Sequence, residues 1–160
     1  ISRRYQKKAE WKSAAKHLHK VVQIQPTNPT YLNELGNAYV RMGQYDEAIK
    51  WIELAQKNKT NIPTTDSDAA VPVRDFNVDI GNAYFLKGDD ANAEKYMRNA
   101  LAVNRIDPLA NFRLGELEFK RGNYQKSSEY FKVVASNPMF RDEVQKYYRQ
   151  IEEKLFGHIK

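Results

Sequence analysis

The chain has 160 residues, of which 41% are apolar and 29% are charged, a composition typical of a soluble globular protein. No run of about 18 apolar residues occurs, which excludes a membrane-spanning helix, and the absence of cysteine excludes disulfides and thiolate metal sites. The net charge of +6 comes from the first 20 residues, because acidic and basic side chains balance in the rest.

The first predicted element is a helix that ends near Pro26. Ala14, Leu18 and Val21 give this helix an apolar stripe at helical spacing. A turn is predicted before it at Ala9-Glu10-Trp11, and the residues ahead of that turn align with the middle of a preceding helix. We therefore expect residues 1–28 to form an incomplete helix pair whose first helix is cut short.

Basic side chains cluster on this first element. Lys12, Lys16 and Lys20 are spaced so that they share one face of a helix. Such a face could dock on an acidic protein, an anionic membrane or nucleic acid, or it could be a solvated outer surface. We call the whole cluster the basic ridge, which consists of Arg3, Arg4, Lys7, Lys8, Lys12, Lys16 and Lys20.

Residues 29–62 are predicted to form an antiparallel helix pair. Asn28 is a typical N-cap, and Pro29 is preferred at the first helical position. Apolar residues recur at helical spacing on both sides of Gly43, which is therefore the predicted turn between the two helices.

Two further pairs are predicted at residues 74–107 and 108–140, with turns at Gly88 and Gly122. Residues 60–68 are mostly polar and rich in turn-forming residues, so we expect an inserted loop at residues 63–73, before the second pair.

A single helix is predicted at residues 141–156, with Gly157 as a C-cap. It has no partner helix and carries many charged side chains. A terminal helix with a polar outer face would cap the open end of a stack.

The three pairs are copies of one motif. The last two copies lie 34 residues apart, a period typical of stacked helix-pair repeats. In every copy a second glycine follows the first by seven residues. The matching stretches are Leu35-Gly36-Asn37-Ala38-Tyr39, Ile80-Gly81-Asn82-Ala83-Tyr84 and Leu114-Gly115-Glu116-Leu117.

This motif resembles the tetratricopeptide repeat over nearly the whole chain. The resemblance implies an all-α fold, a right-handed α-solenoid of antiparallel helix pairs with a C-terminal capping helix. Glu118 departs from the motif, because tyrosine is expected there, as at Tyr39 and Tyr84 between neighbouring repeats. The small residues of the motif let paired helices approach closely, and they are Gly36, Gly81 and Gly115 opposite Ala48, Ala93 and Ser127.

In this family the first helices of the pairs line a concave groove that binds a partner peptide or helix. Val40, Phe85, Phe112 and Phe119 would form an apolar strip there, or some of these phenylalanines would pack against neighbouring helices or the capping helix. Carried onto this sequence, the lining positions are Asn33, Asn37, Val40, Arg41, Val78, Asp79, Asn82, Phe85, Leu86, Phe112, Arg113, Glu116, Phe119 and Lys120.

Some members of the family hold a chaperone C-terminal carboxylate with two lysines, two asparagines and an arginine. Asn37 and Arg113 match that clamp, whereas Asn33 and Leu109 replace the lysines and Asp79 replaces the second asparagine. The loss of two cations and the gain of an anion disfavour capture of a carboxylate.

No motif for catalysis, a cofactor or a metal is present. His17 and His19 point apart on a helix, and neither a phosphate-binding loop nor a zinc-protease motif occurs. The sequence thus predicts a non-enzymatic scaffold or adaptor for a protein or peptide partner, in the cytoplasm or periplasm. The alternative is electrostatic docking through the basic ridge, although nucleic acid and membrane are not the favoured partners, and self-association through the first repeat is a third possibility.

Overall fold

The computed structural model describes the backbone of residues 2–60 and 75–157, with the side chains of residue 7 and of residues 9 onward in those ranges. The predicted inserted loop at residues 63–73 lies outside the described residues, as does the predicted start of the second pair at residue 74.

Every regular element in the described residues is an α-helix. The helices are α1 (Ser2–Ile24), α2 (Pro29–Met42), α3 (Tyr45–Lys57), α4 (Asn77–Lys87), α5 (Asp90–Val103), α6 (Pro108–Lys120), α7 (Tyr124–Val134) and α8 (Arg141–Phe156). None of these helices is long and apolar enough to cross a membrane.

The helices begin and end where local sequence requires it. At the start of α2 the Asn28 side chain accepts a hydrogen bond from the Thr30 N–H at 3.0 Å. The turns within the three pairs each contain a glycine in the left-handed region, with φ of 77° at Gly43, 90° at Gly88 and 81° at Gly122. A β-carbon would be strained in that conformation, which explains why glycine recurs at this place.

The predicted turn at Ala9-Glu10-Trp11 is wrong, because α1 continues through it without a break. The three turns that do form use a glycine with positive φ, and this segment has no glycine. The described side chains from Ala9 to Ser13 are exposed, and Ala15 is the first buried one. Among the described side chains of α1, the buried ones therefore lie in its second half.

The helix pairs stack side by side. We call α2, α4 and α6 the front helices and α3, α5 and α7 the back helices. Each front helix packs against its own back helix, against the back helix of the preceding pair and against the neighbouring front helix. α1 packs against α2 as a preceding back helix would, and α8 packs against α7. The core follows the stack as three apolar clusters from α1 to α8.

One side-chain contact recurs wherever a front helix meets the back helix before it. The recurrence shows that the second half of α1 takes the position of a back helix. The recurrence also explains why glutamate replaces tyrosine at position 118. Glu118 faces Arg98, so an ion pair takes the place of the contact made by tyrosine in the other repeats. The three contacts are His19–Tyr39 (2.8 Å), Glu53–Tyr84 (3.2 Å) and Arg98–Glu118 (3.7 Å).

The motif glycines lie where the two helices of a pair come closest. The Ser127 hydroxyl donates to the Gly115 carbonyl at 2.8 Å, so these two residues face each other as predicted. A β-carbon on Gly115 would lie 2.5 Å from Cε1 of Phe131, one helical turn further along the back helix. The close approach is thus set by a large side chain that only glycine can accommodate.

Candidate functional site

A concave groove of about 1080 Å³ runs along the front helices, from α1 to the segment after α7. It brings together most of the residues that the sequence predicts as lining. Those residues are Asn33, Asn37, Val40, Arg41, Val78, Asp79, Asn82, Leu86 and Arg113.

A second hollow of about 520 Å³ lies between α4, α6 and α8. It contains four other predicted lining residues, Phe85, Glu116, Phe119 and Lys120. Lys120 forms an ion pair with Asp90, which also borders this hollow. The structure therefore divides the predicted surface into two adjacent depressions.

Phe112 does not line the groove, which corrects the prediction of a continuous apolar strip. Its side chain is 6% exposed, and its ring stacks on Phe140 with the centroids 4.6 Å apart. Phe119 is also engaged, because its ring meets Tyr124 at 5.4 Å and Tyr147 of α8 at 5.0 Å. Both phenylalanines pack against elements that follow α6, which was the alternative left open by the sequence.

Arg113 is held from several sides. Its Nε donates to Asn82 Oδ1 at 3.0 Å, its Nη1 lies 2.7 Å from Glu116 Oε2, and its guanidinium carbon lies 4.4 Å from the centroid of Phe85. The Tyr147 hydroxyl donates to the other oxygen of Glu116 at 3.0 Å. The positive charge of Arg113 is thus neutralised and its position is fixed.

Tyr147 connects the capping helix to this network. Burial, the charge of Glu116 and the hydrogen bond to it raise the pKa of Tyr147 to about 12. The phenol therefore remains protonated and can keep donating to Glu116 at every physiological pH.

Asn33 occupies an unusual place in the wall of the groove. Its side chain is 1% exposed, and within the described residues no group donates a hydrogen bond to its buried Oδ1. An unsatisfied buried acceptor typically costs about 1–3 kcal/mol of stability. Most buried polar atoms in folded proteins have a partner, so this oxygen is a notable exception.

The ends of the groove contain residues that the sequence did not indicate. Trp11 and Leu18 of α1 line one end, and Met139 and Phe140 line the other. The guanidinium carbon of Arg41 lies 5.8 Å from the centroid of the Trp11 ring. A signal for the α1 residues was present, because Trp11 and Leu18 are seven residues apart and share a face of an unbroken helix. The turn predicted at Ala9-Glu10-Trp11 separates Trp11 from the helix of Leu18, so the prediction omits this shared face.

The described lysines of the basic ridge are exposed on α1. Lys7, Lys12, Lys16 and Lys20 are exposed, and the side chains of Arg3, Arg4 and Lys8 lie outside the described residues. Lys12 and Lys16 border a separate hollow of about 670 Å³ between α1 and α2.

No cluster of three or more histidine, aspartate or glutamate side chains that could hold a metal ion occurs in the part of the chain that the structure describes. His19 is hydrogen-bonded to Tyr39, and its ring centroid lies 5.4 Å from that of Trp51. It serves the contact between α1 and the first complete pair.

Comparison with known families gives two matches, both described as tetratricopeptide repeat, over residues 7–63 and 73–139. Together they span most of the sequence. The chain belongs to the tetratricopeptide repeat family. Tetratricopeptide repeats are protein-interaction modules and generally non-catalytic, so membership supports a role as an interaction scaffold.

Solved structures agree with this assignment. A crystal structure of the APC/C hetero-tetramer Cut9–Hcn1 matches with a TM-score of 0.63 and 18% identity, over 78% of this chain and 22% of that one. Two crystal structures of MamA each match with a TM-score of 0.60, at 23% and 22% identity. They cover 93% and 96% of this chain and 85% and 95% of their own. The tetratricopeptide repeat chain thus spans about a fifth of the matched Cut9–Hcn1 chain and most of MamA.

These likenesses confirm the predicted fold class, an all-α, right-handed solenoid of helix pairs with a C-terminal capping helix. At such identities they concern the tetratricopeptide fold alone. No curated protein matches the sequence.

Proposed function

We propose that this tetratricopeptide chain is a scaffold or adaptor module that binds a partner peptide or helix in its concave groove and has no catalytic role. The observation that supports this most directly is the groove itself, which is open, about 1080 Å³ in volume and lined by three front helices. Two large apolar side chains are partly exposed in it, Trp11 at 38% and Leu86 at 39%. Apolar anchors beside fixed polar groups are typical of peptide-binding grooves.

A C-terminal carboxylate is not the group that this groove would bind. Arg113, the one cation that matches the chaperone-binding clamp, is paired with Glu116. Asn33 and Leu109 stand in place of the two lysines and carry no charge. A free carboxylate would therefore meet no available positive charge at these positions.

The proposed function is tested by placing a charge inside the groove. In Leu86→Lys we expect a partner captured from native lysate to be reduced at least about tenfold, because an ammonium group would be buried under the bound segment. Ile106→Lys is the matched control, since Ile106 is 73% exposed and lies outside the groove. The captured proteins are quantified by mass spectrometry, and circular dichroism verifies that both variants fold. Identical capture by the two variants would rule out the groove as the binding surface.

The alternative function is electrostatic docking through the basic ridge on an acidic protein, an anionic membrane or nucleic acid. The observation that favours it is that Lys12, Lys16 and Lys20 are exposed, and none of them forms an ion pair with any described residue. Self-association through α1 is a third candidate, which a light-scattering mass would reveal.

A further inference from the structure

We propose that the hollow between α1 and α2 is a second binding site, which takes an acidic partner segment with a large apolar side chain next to its carboxylates. The hollow has a volume of about 670 Å³, and it shares no lining residue with the concave groove in the part of the chain that the structure describes. Binding there is therefore independent of the proposed groove function. It would give the alternative function, docking on an acidic protein, a defined place.

We call the contact of a front helix with the back helix before it a junction, and the α1–α2 junction lacks the ion pair of the next two. Lys87 Nζ of α4 lies 2.7 Å from Asp46 Oδ1 of α3, and Arg121 Nη2 of α6 lies 2.6 Å from Glu94 Oε2 of α5. Met42 is the equivalent residue of α2, because it follows the front-helix residue of the recurring contact by three positions, as Lys87 and Arg121 do. At this position α2 thus offers a thioether and not a cation.

The α1 side of the first junction supplies cations where the other back helices supply acids. Counted back from the recurring contact, Lys12 occupies the position of Asp46, and Ala15 occupies the position of Glu94. Lys12 and Lys16 both line the hollow and are exposed, and neither forms an ion pair with a described residue. The first junction therefore has two cations without a partner.

The acids of the neighbouring sequence do not compensate these lysines. Glu10 precedes Lys12 by two residues and Lys16 by six, which places it about 200° and about 120° around α1 from them. The two acids in the first turn of α3 are themselves paired with lysines. No aspartate or glutamate is among the described residues that line the hollow. A carboxylate that meets Lys12 and Lys16 must therefore come from a partner, and the net charge of +6 attracts such a partner from a distance.

Next to the lysines the hollow presents carbon surface. Ala15, Met42 and the ring of Tyr39 line it, and the Tyr39 hydroxyl is already engaged with His19 Nε2 at 2.8 Å. Alanine at position 15 is smaller than the isoleucine and the glutamate at the equivalent positions of α3 and α5, which leaves room between the helices. A large apolar side chain can be buried there while carboxylates beside it pair with the two lysines.

The experiment is a subtractive selection from a random dodecapeptide library displayed on phage. The library is first depleted on Lys12→Asp with Met42→Lys, a variant that gives the first junction the Asp46–Lys87 pair of the second. It is then captured on the full parent chain, so that peptides bound in the groove are removed before capture. We expect the captured peptides to carry aspartate or glutamate next to a large apolar residue. No enrichment, or enrichment of basic or uncharged peptides, would overturn the inference.

One enriched peptide is then synthesised with a fluorescent label and titrated by anisotropy against variants that separate charge from shape. Lys12→Gln with Lys16→Gln removes the two cations, and we expect it to weaken binding at least about tenfold. Ala15→Ile fills the hollow with the residue type of α3 and keeps every charge, and we expect a loss of at least about fivefold. Lys132→Gln with Lys154→Gln makes the same change of net charge at exposed sites outside the hollow, so its affinity should stay within about twofold of the parent.

Circular dichroism verifies that the variants fold. Met42→Ser replaces apolar lining by a hydroxyl and tests the need for apolar surface where Ala15→Ile does not fold. Loss of binding in the double lysine variant alone, with full binding when the apolar lining is changed, would overturn the inference, because diffuse charge of the basic ridge would then suffice.

Two further results would assign the peptide or the hollow differently. Loss of binding in Leu86→Lys, with full binding in both hollow variants, would place the peptide in the groove; it would overturn the inference and leave the proposed function intact. Sedimentation of the chain with phosphatidylserine vesicles that both hollow variants abolish, without enrichment of an acidic peptide, would overturn it in favour of an anionic lipid.

Discussion

Glu118 carries its charge in a buried position between the second and third helix pairs. It is 1% exposed, with Lys126 Nζ 2.8 Å from Oε1 and Asn123 Nδ2 donating to Oε2 at 2.8 Å. Arg98 and Arg121 lie 3.7 Å and 3.6 Å from Oε1. Burial alone would raise the pKa of Glu118, but the contacts with Lys126 and Asn123 and the nearby cations outweigh it and lower the pKa below its usual value.

We expect Glu118→Gln to lower the free energy of unfolding by about 1–3 kcal/mol at neutral pH, because it leaves three cations without their shared anion. The folded-state pKa lies below the unfolded one, so the stabilisation by Glu118 is present above about pH 4.3 and is lost as the pH falls through the folded-state pKa. Urea denaturation of parent and variant should show a difference that narrows below about pH 4. A difference that stays constant into this acid range would contradict the assigned charge.

The close approach of front and back helices is a property of each helix pair, and the three pairs differ in what lies opposite the glycine. Opposite Gly115 is the ring of Phe131, whose centroid lies 5.8 Å from that of Phe112 and 4.7 Å from that of Tyr147. Opposite Gly81 are the flexible side chain of Met97 and, at 3.2 Å from the position of a β-carbon, the Met97 backbone nitrogen. An aromatic ring held on both sides has less room to move than a thioether chain.

Gly115→Ala is therefore expected to destabilise the chain more than Gly81→Ala. The new β-carbon would lie 2.5 Å from Phe131 Cε1 in the first variant and 3.1 Å from Met97 Cγ in the second. We expect a loss of about 1–3 kcal/mol for Gly115→Ala from overpacking. Gly81→Ala should cost less, because the Met97 side chain can move and the gain of about 1 kcal/mol in helix propensity offsets part of the strain, although the Met97 backbone nitrogen at 3.2 Å cannot move away as a side chain can. Chemical denaturation measures the free energy of unfolding of both variants. Equal losses would contradict the prediction, because they would show that the Met97 side chain does not move away from the new β-carbon.

On the scale of the whole molecule, the two candidate surfaces respond differently to salt. The groove combines apolar side chains with local polar contacts, whereas the basic ridge acts through exposed charge, which salt screens. One pair of titrations can therefore distinguish binding in the groove from binding at the basic ridge.

We expect the affinity of a groove-dependent partner to change less than about threefold between roughly 0.05 and 0.5 M salt, because apolar burial is insensitive to screening. The Lys12→Glu, Lys16→Glu, Lys20→Glu triple variant should bind that partner as the parent does. Isothermal titration calorimetry measures both. A steep salt dependence that disappears in the triple variant would instead establish docking through the basic ridge.

Much of the site could be derived from repeat spacing, and what could not has identifiable causes. The equivalence of Asn37 and Asn82 follows from their distance to the motif glycine, and both line the groove. Phe112 holds the position equivalent to Val78, which does line it, yet Phe112 is buried because Phe140 stacks on its ring. Position within a repeat does not reveal which neighbour covers it.

For the helix α1 as well, alignment with the repeat does not predict the structure correctly. The sequence predicts its stripe of Ala14, Leu18 and Val21, but alignment with the repeat predicts a turn where none forms. The absence of a glycine keeps this segment helical, which is a local effect. Its consequence is not local, because Trp11 lines the end of the groove only when α1 is unbroken.

The sequence by itself determined the helices from α2 to α8, the turns at Gly43, Gly88 and Gly122, and the stacked architecture. These depend on short-range properties that each repeat carries in its own residues, namely periodicity, backbone freedom and small side chains at close contacts. Only the tertiary structure decided which polar side chains have a partner. Arg113 pairs with Glu116, whereas Asn33 Oδ1 accepts no hydrogen bond from the described residues. The physical reason is that pairing and burial depend on distances between residues far apart in the chain, which the stacking of whole helices sets.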